Sequence, residues 1–230
     1  MNNFPKKIVL FLFLTSLAFV SCSGNKGQIR KPEEIPPLKI LYDAAFKTYQ
    51  DGDWGKAVDL FKKVETKYSF TDWAPRATLM IIYIYYEAGE YVETLEYIKK
   101  YKSINQGSKY SEYVDYITGL VFYEQISIPS RDQSYAMKSL ELFNELLKNY
   151  PNTIYRQDII LKIDLIKEQL AGKEMYLARY YMKKEKWIAA IKRLKIILDD
   201  YPNTNYTIET LHRLVEIYYK LGNLKESKKY

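Results

Sequence analysis

Residues 51–64 read DGDWGKAVDLFKKV, and residues 183–197 read KKEKWIAAIKRLKII. In each, an aromatic (Trp54, Trp187) is followed three positions later by Ala57 or Ala190, then by Phe61 or Leu194, and then by Val64 or Ile197. Steps of three and four keep these side chains on one face of a helix. The frame returns as Tyr91, Thr94, Ile98 and Tyr101, again as Ser139, Phe143 and Leu146, and finally as Leu224 and Ser227. Short polar turns (DGDW, EAGEY, KKEKW, LGNL) precede four of these copies, and an aromatic-rich helical stretch precedes each turn.

A helix, a short turn and a second helix bearing one small residue and then large ones form a repeat of a little over 34 residues, of tetratricopeptide type. The small residue lets the two helices approach closely. The large ones fill the gap to the next repeat, so no pair buries its surface alone and the pairs must stack. The fold expected is all-α, a tetratricopeptide-repeat superhelix of about five helix-turn-helix repeats, at 38–70, 73–104, 109–151, 154–202 and 205–230. Two departures are expected. The third repeat replaces its short turn by the insertion QISIPSRDQ, and the fourth opens with one long helix near 154–184 that runs through Gly172. The last helix, from Leu224, is barely two turns. The strings NYPNTIY (149–155) and DYPNTNY (200–206) read as joints. Tyr150 and Tyr201 close a second helix, Pro151 and Pro202 forbid its continuation, and Asn152–Thr153 and Asn203–Thr204 should cap the next helix.

Composition agrees. Hydrophobic residues make up 47% and charged ones 27%, which suits a soluble globule, while 24 tyrosines against 9 glycines and 8 prolines favour helices over turn-rich β structure. The net charge is +7, but Lys6 and Lys7 belong to the leader and the remaining cations are spread over helical faces, so nucleic acid is not an expected partner.

Residues 1–21 carry those two lysines and then the apolar run IVLFLFLTSLAFV, a signal peptide by its layout. Ser21 and Cys22, the one cysteine, follow. The pattern resembles a bacterial lipobox, with Phe19 where leucine is usual. Cys22 would then bear the lipid, palmitate included, at the head of a linker over 22–37. The other reading is a plain secretory signal with a chance cysteine. Ser23 follows the cysteine, and the absence of Asp there fits what the resemblance implies for sorting to the outer membrane rather than retention at the inner one.

Catalytic chemistry finds little material. His212 is the sole histidine, and no Cys/His cluster, phosphate-cradling glycine loop or nucleophile elbow occurs. Neither enzymatic activity nor a cofactor or metal is expected.

In stacked repeats the first helices line the concave side. Their inward positions are Tyr42, Phe46 and Tyr49, then Leu79, Tyr83 and Tyr86, then Tyr113, Tyr116, Leu120 and Tyr123. The fourth repeat offers Met175, Arg179 and Met182, and the fifth Glu209, His212, Glu216 and Tyr219. Tyrosine presents a large apolar face with a hydrogen-bonding tip at low entropic cost, which suits capture of an extended peptide. The alternative is that these rings pack between helices.

The segments SRDQSYAMKSLELFNELLKNYPNTIY, KIDLIKEQLAGKEMYLARYYMKKEKWIAAIKRL and TLHRLVEIYYKLG together resemble the BamD family, particularly its alpha-proteobacterial members. BamD is the lipidated tetratricopeptide component of the β-barrel assembly machinery. The resemblance covers nearly all of the chain after the leader. It departs at Ser69, where proline is common, and at the early C-terminal end. It implies a scaffold anchored on the periplasmic face of the outer membrane. The C-terminal repeats would dock a POTRA domain of a BamA-like barrel protein through Arg179, Met182, Arg213 and Glu216. The tyrosine groove would receive the C-terminal segments of unfolded outer-membrane proteins. Ile208 stands near a place where some members carry arginine, so Arg213 or Arg179 would substitute. The alternative function is another envelope adaptor lipoprotein with tetratricopeptide repeats, associated with peptidoglycan or division proteins.

Overall fold

The computed structural model describes residues 36–230; the signal peptide, Cys22 and the linker up to residue 35 lie outside the described residues. Residues 37–230 form one compact unit. Its helices are α1 (Leu38–Gln50), α2 (Trp54–Lys67), α3 (Trp73–Glu87), α4 (Tyr91–Ile104), α5 (Ser111–Tyr123), α6 (Ser134–Asn149), α7 (Arg156–Lys183), α8 (Trp187–Asp200), α9 (Tyr206–Lys220) and α10 (Leu224–Ser227). Among the described residues there is no strand. Each odd-numbered helix packs against the even-numbered helix that follows, and α2, α4, α6 and α8 each pack against the next odd-numbered helix as well. The fold is the expected all-α repeat stack.

The small-then-large frame is buried as its spacing requires. Ala57, Thr94, Ser139 and Ala190 are fully enclosed, and so are Phe61, Phe143 and Leu194 at the next position. Three cores result. One joins α1, α2 and α3 around Phe61 and Ile81; a central one runs from α3 to α7; a third joins α7, α8 and α9 around Leu194 and Met175. α7 serves two of them. Ile159, Ile163, Ile166 and Leu170 enter the central core, and Ala171, Met175 and Ala178 enter the last.

The turns within repeats share one device. Gly52, Gly89 and Gly222 take left-handed φ angles of 83°, 73° and 72°. Each next residue donates its N–H to a carbonyl five residues back, as Asp53 does to Thr48, Glu90 to Tyr85 and Asn223 to Tyr218. This is a Schellman closure, which favours glycine because the left-handed conformation crowds a Cβ. Repeat four builds the same turn with Lys186 donating to Tyr181, but its left-handed residue is Glu185, at φ 55°. Glu185→Gly should therefore raise stability by roughly 0.5–1 kcal/mol, after allowing for the extra freedom glycine has when unfolded. Urea melts would show a higher midpoint with unchanged slope, and a lower midpoint would refute the strain.

The joints between repeats correct the capping expectation. The residues preceding α7 and α9, Tyr155 and Asn205, make no side-chain cap, and Asn152 and Asn203 cap nothing. Thr153 instead closes a further turn. Its N–H donates to Tyr150 O at 3.1 Å and its Oγ1 accepts from Tyr155 N at 3.2 Å, so the helix starts later than a cap at that position would require. At the fourth joint Thr204 Oγ1 donates to Tyr201 O at 2.9 Å instead. The Thr153 arrangement returns at the two joints that lack YPNT. Thr71 N–H donates to Tyr68 O at 3.0 Å and its Oγ1 accepts from Trp73 N at 3.4 Å, while Ser108 N–H donates to Asn105 O and its Oγ accepts from Tyr110 N, both at 3.2 Å. Two residues after each hydroxyl stands an aromatic: Trp73, Tyr110, Tyr155 and Tyr206. Trp73 packs on Tyr42 of α1 at 4.8 Å, and Tyr155 stacks on Tyr116 of α5 at 4.2 Å. Tyr206 lies against Gly172 of α7. The joint thus pins each of these repeats to the first helix of the one before.

Gly172 sits inside α7 without breaking it. A Cβ there would come within 3.0 Å of the Tyr206 hydroxyl and 3.2 Å of Pro129 in the insertion. The insertion occupies 124–133 between α5 and α6, and it is held to α7 by Lys173 Nζ donating to Ser130 O at 3.2 Å and by Gln169 donating to Ser127 O.

Candidate functional site

The first helices α1, α3 and α5 carry the rings singled out by spacing. Tyr42 wedges between Phe61 (5.3 Å) and Trp73 (4.8 Å) and belongs to the first core. Phe46 is 39% exposed and lies 6.1 Å from Tyr49, which is 6.0 Å from Tyr83 across the first repeat boundary. Tyr86, Tyr113, Tyr116 and Tyr123 are half-buried against the central core. These rings pack on one side and present their remaining surface on the other.

Their hydroxyls sit in low-polarity surroundings. Burial, with Tyr49 and Glu87 alongside, pushes the Tyr83 phenol up to about 12. Burial raises Tyr86, Tyr113 and Tyr116 as well. The phenols therefore stay neutral hydrogen-bonding groups throughout the physiological range.

The face has members that spacing did not select. Tyr116 donates to Asp158 Oδ2 at 2.6 Å, Lys162 Nζ donates to Asp158 Oδ1 at 2.6 Å, and the same ammonium lies 5.3 Å from the Tyr123 ring centroid. Burial opposes ionisation of Asp158, but hydrogen bonds from Lys162 and Tyr116 outweigh it and lower its pKa. Tyr155, Asp158 and Lys162 were missed because they lie in the third joint and the first turns of α7, outside the frame used for first helices. The joint aromatic shared with Trp73, Tyr110 and Tyr206 was the signal that could have found Tyr155.

At the other end, Arg179 of α7 donates through Nε to Glu209 Oε1 of α9 at 3.1 Å. Arg213 reaches Glu209 at 3.4 Å and Glu216 at 2.9 Å, and His212 Nδ1 lies 3.7 Å from Glu216. The structure thus gathers Arg179, Arg213 and Glu216 into one ion network through Glu209, while Met182 packs into the third core. Hydrogen bonds from Arg179, then Arg213, hold the Glu209 carboxyl below its ordinary value, so this link is present at neutral pH and is lost on acidification. Ile208 is 82% exposed beside it. Among the described residues no cluster of potential metal ligands occurs, and no helix is long and apolar enough to cross a membrane.

Residues 36–230 match the family model YfiO, described as an outer membrane lipoprotein. The chain is 34% identical over 216 residues to the outer membrane protein assembly factor BamD of Caulobacter vibrioides, covering 93% of this chain and 71% of that one. It is 32% identical over 224 residues to BamD of Rickettsia prowazekii, covering 97% and 88%. A solved structure, the type IV pilus biogenesis factor PilW, aligns with 85% of this chain and 91% of its own at 14% identity and a TM-score of 0.39. With the family model spanning every helix described above, the chain belongs to the YfiO outer membrane lipoprotein family, together with the BamD proteins of Caulobacter and Rickettsia.

Proposed function

We propose that this protein is an outer membrane protein assembly factor. In this reading it is a scaffold anchored by lipid at Cys22 to the periplasmic face of the outer membrane, where it receives unfolded barrel proteins and binds the POTRA domain of a BamA-like partner. The observation that carries the reading is the pairing of two unlike surfaces on one compact unit. An aromatic face runs over α1, α3 and α5, and an ion network joins α7 to α9. Transmembrane barrel strands alternate apolar and polar side chains. Rings with neutral hydroxyls answer both kinds at once. A folded partner domain needs instead a fixed charged patch, which Glu209 provides by tying two arginines in place.

The deciding experiment is co-purification from gently solubilised membranes. A POTRA-bearing barrel protein should be retained, and retention should fall when Arg179 and Arg213 are both changed to Ala. Recovery of peptidoglycan-associated or division proteins in its place would favour the other adaptor reading.

The anchor gives a separate expectation. One acyl chain binds a membrane only marginally, at roughly 0.8 kcal/mol per buried CH₂, whereas several hold it durably. Cys22→Ser should make the protein extractable from outer membranes by an alkaline carbonate wash, which strips proteins held only by contacts, or leave it uncleaved at the inner membrane. Retention of the variant in washed outer membranes at the wild-type level would refute the anchor.

A further inference from the structure

Three of the joints between repeats share a feature that neither the repeat packing nor the two surfaces above require. Phe70 is 103% exposed, Ile104 is 68% and Ile154 is 85%, one at each of the first three joints. The second helix entering each of these joints has a lysine in its last turn: Lys67, Lys102 and Lys148. Lys102 pairs with Asp115 at 2.7 Å, and all three lysines are exposed. A terminal lysine complements the helix dipole by itself. Nothing in helix capping or packing asks for a fully exposed Phe or Ile beside it. The fourth joint departs from the pattern, since α8 ends in Asp199 and Asp200 and Asn205 stands where the third joint has Ile154.

In a stack of antiparallel pairs, every joint from a second helix to the next first helix falls on one edge of the molecule. The starts of α1, α3, α5 and α7 fall there too. The chain therefore enters the unit at Leu38 on the edge that carries Phe70, Ile104 and Ile154. The 15 residues from Cys22 to Pro36 reach no further than about 50 Å even when fully drawn out. An anchor at Cys22 would tether the unit from that edge.

We propose that this joint edge is a membrane-resting surface, with Phe70, Ile104 and Ile154 entering the interface of a bilayer containing anionic phospholipid and Lys67, Lys102 and Lys148 lying at its headgroups. Apolar tips flanked by lysines are the chemistry that binds such an interface, and the two contributions add. The proposal rests on the lipid-anchored reading above. It goes beyond that reading by fixing which edge faces the bilayer, so that the aromatic face lies alongside the membrane rather than against it.

The test uses the chain from residue 22 onward with Cys22→Ser, which leaves no native thiol and no acyl chain. A cysteine introduced at Ile104 carries an environment-sensitive fluorophore. In a second preparation the label is at Ile188, 64% exposed at the start of α8 on the opposite edge. With vesicles of phosphatidylethanolamine and phosphatidylglycerol, the Ile104 label should shift to the blue and be quenched by a lipid-borne quencher, while the Ile188 label stays unchanged. Changing Phe70, Ile104 and Ile154 together to Ser should reduce vesicle adsorption roughly tenfold or more, with circular dichroism unaltered. Lys67→Gln with Lys148→Gln should reduce it roughly fivefold per charge on anionic vesicles alone. No response at Ile104 would overturn the proposal, as would equal responses at both edges. A response at Ile104 that needs an added unfolded barrel protein would reassign the edge to protein. None of these failures alters co-purification with a POTRA-bearing partner, so the two readings fail separately.

Discussion

Gly119→Ala should lower the melting temperature by about 3–10 °C. Gly119 lies in α5, where a Cβ would stand 2.4 Å from Cε1 and 2.7 Å from Cδ1 of Phe143 in α6. Phe143 is wholly enclosed and cannot swing aside, and the Gly119 carbonyl accepts a buried hydrogen bond from Ser139 at 3.0 Å, which holds the helices at that separation. In an exposed helix the substitution would gain about 1 kcal/mol in propensity. Overpacking a closed core costs about 1–3 kcal/mol, and more where the obstacle is a trapped ring. Overpacking wins here, because relief would require moving the whole α5–α6 pair. For a domain of this size each kcal/mol is about 2–4 °C. Adding Phe143→Leu, which removes the obstructing ring atoms, should recover part of the loss in the double variant. A single variant that melts with the wild type would show that α5 and α6 have room to spare.

Replacing Phe46, Tyr83 and Tyr123 together by Ala should weaken binding of barrel C-terminal peptides by about 100-fold. Three ring truncations at roughly 1 kcal/mol or more each give a factor of that order. These three residues lie on successive first helices, so an extended peptide would span all of them. Some stability will go too, because Tyr83 and Tyr123 are half-buried. The comparison is therefore Tyr85→Ala with Tyr97→Ala. Those two half-buried rings pair with each other at 5.5 Å beside Lys62, away from the aromatic face. That variant should lose comparable stability and keep its affinity, as read by fluorescence anisotropy. Equal affinities in the wild type and the triple variant would assign the stripe to packing alone.

Most of the architecture was legible because repeats announce themselves. The run from Trp54 through Ala57 and Phe61 to Val64 had to be buried once it was seen to recur, and in the structure Ala57, Phe61 and Val64 are. Gly172 was also readable as a glycine a helix could carry. What keeps it glycine was not readable, since Pro129 and Tyr206 reach it from 43 residues before and 34 residues after in sequence. The joints were half legible. YPNT shows itself where proline marks it, whereas YSFT and NQGS fold to similar hydrogen bonds without that mark. The assignment of Asn152 and Asn203 as caps failed because a hydroxyl one residue on could close a turn first. At the site, rings on first helices followed from period, but Asp158 and Lys162 depended on how the third joint rotates α7 against α5. No local pattern encodes that rotation.

α7 changes what a repeat means in this molecule. Its 28 residues, about 42 Å of helix, place one half in the central core and the other half in the last. In an ordinary solenoid each unit trades only with its neighbours and can be removed or duplicated at a joint. Here a cut at the third joint would strip Ile159, Ile163, Ile166 and Leu170 from the central core, and a cut inside α7 would leave two frayed ends in place of a rod. The proline that looks like a boundary at residue 151 is therefore a bend within one indivisible block. Gene truncations or domain swaps in this protein should respect α7 rather than the repeat count.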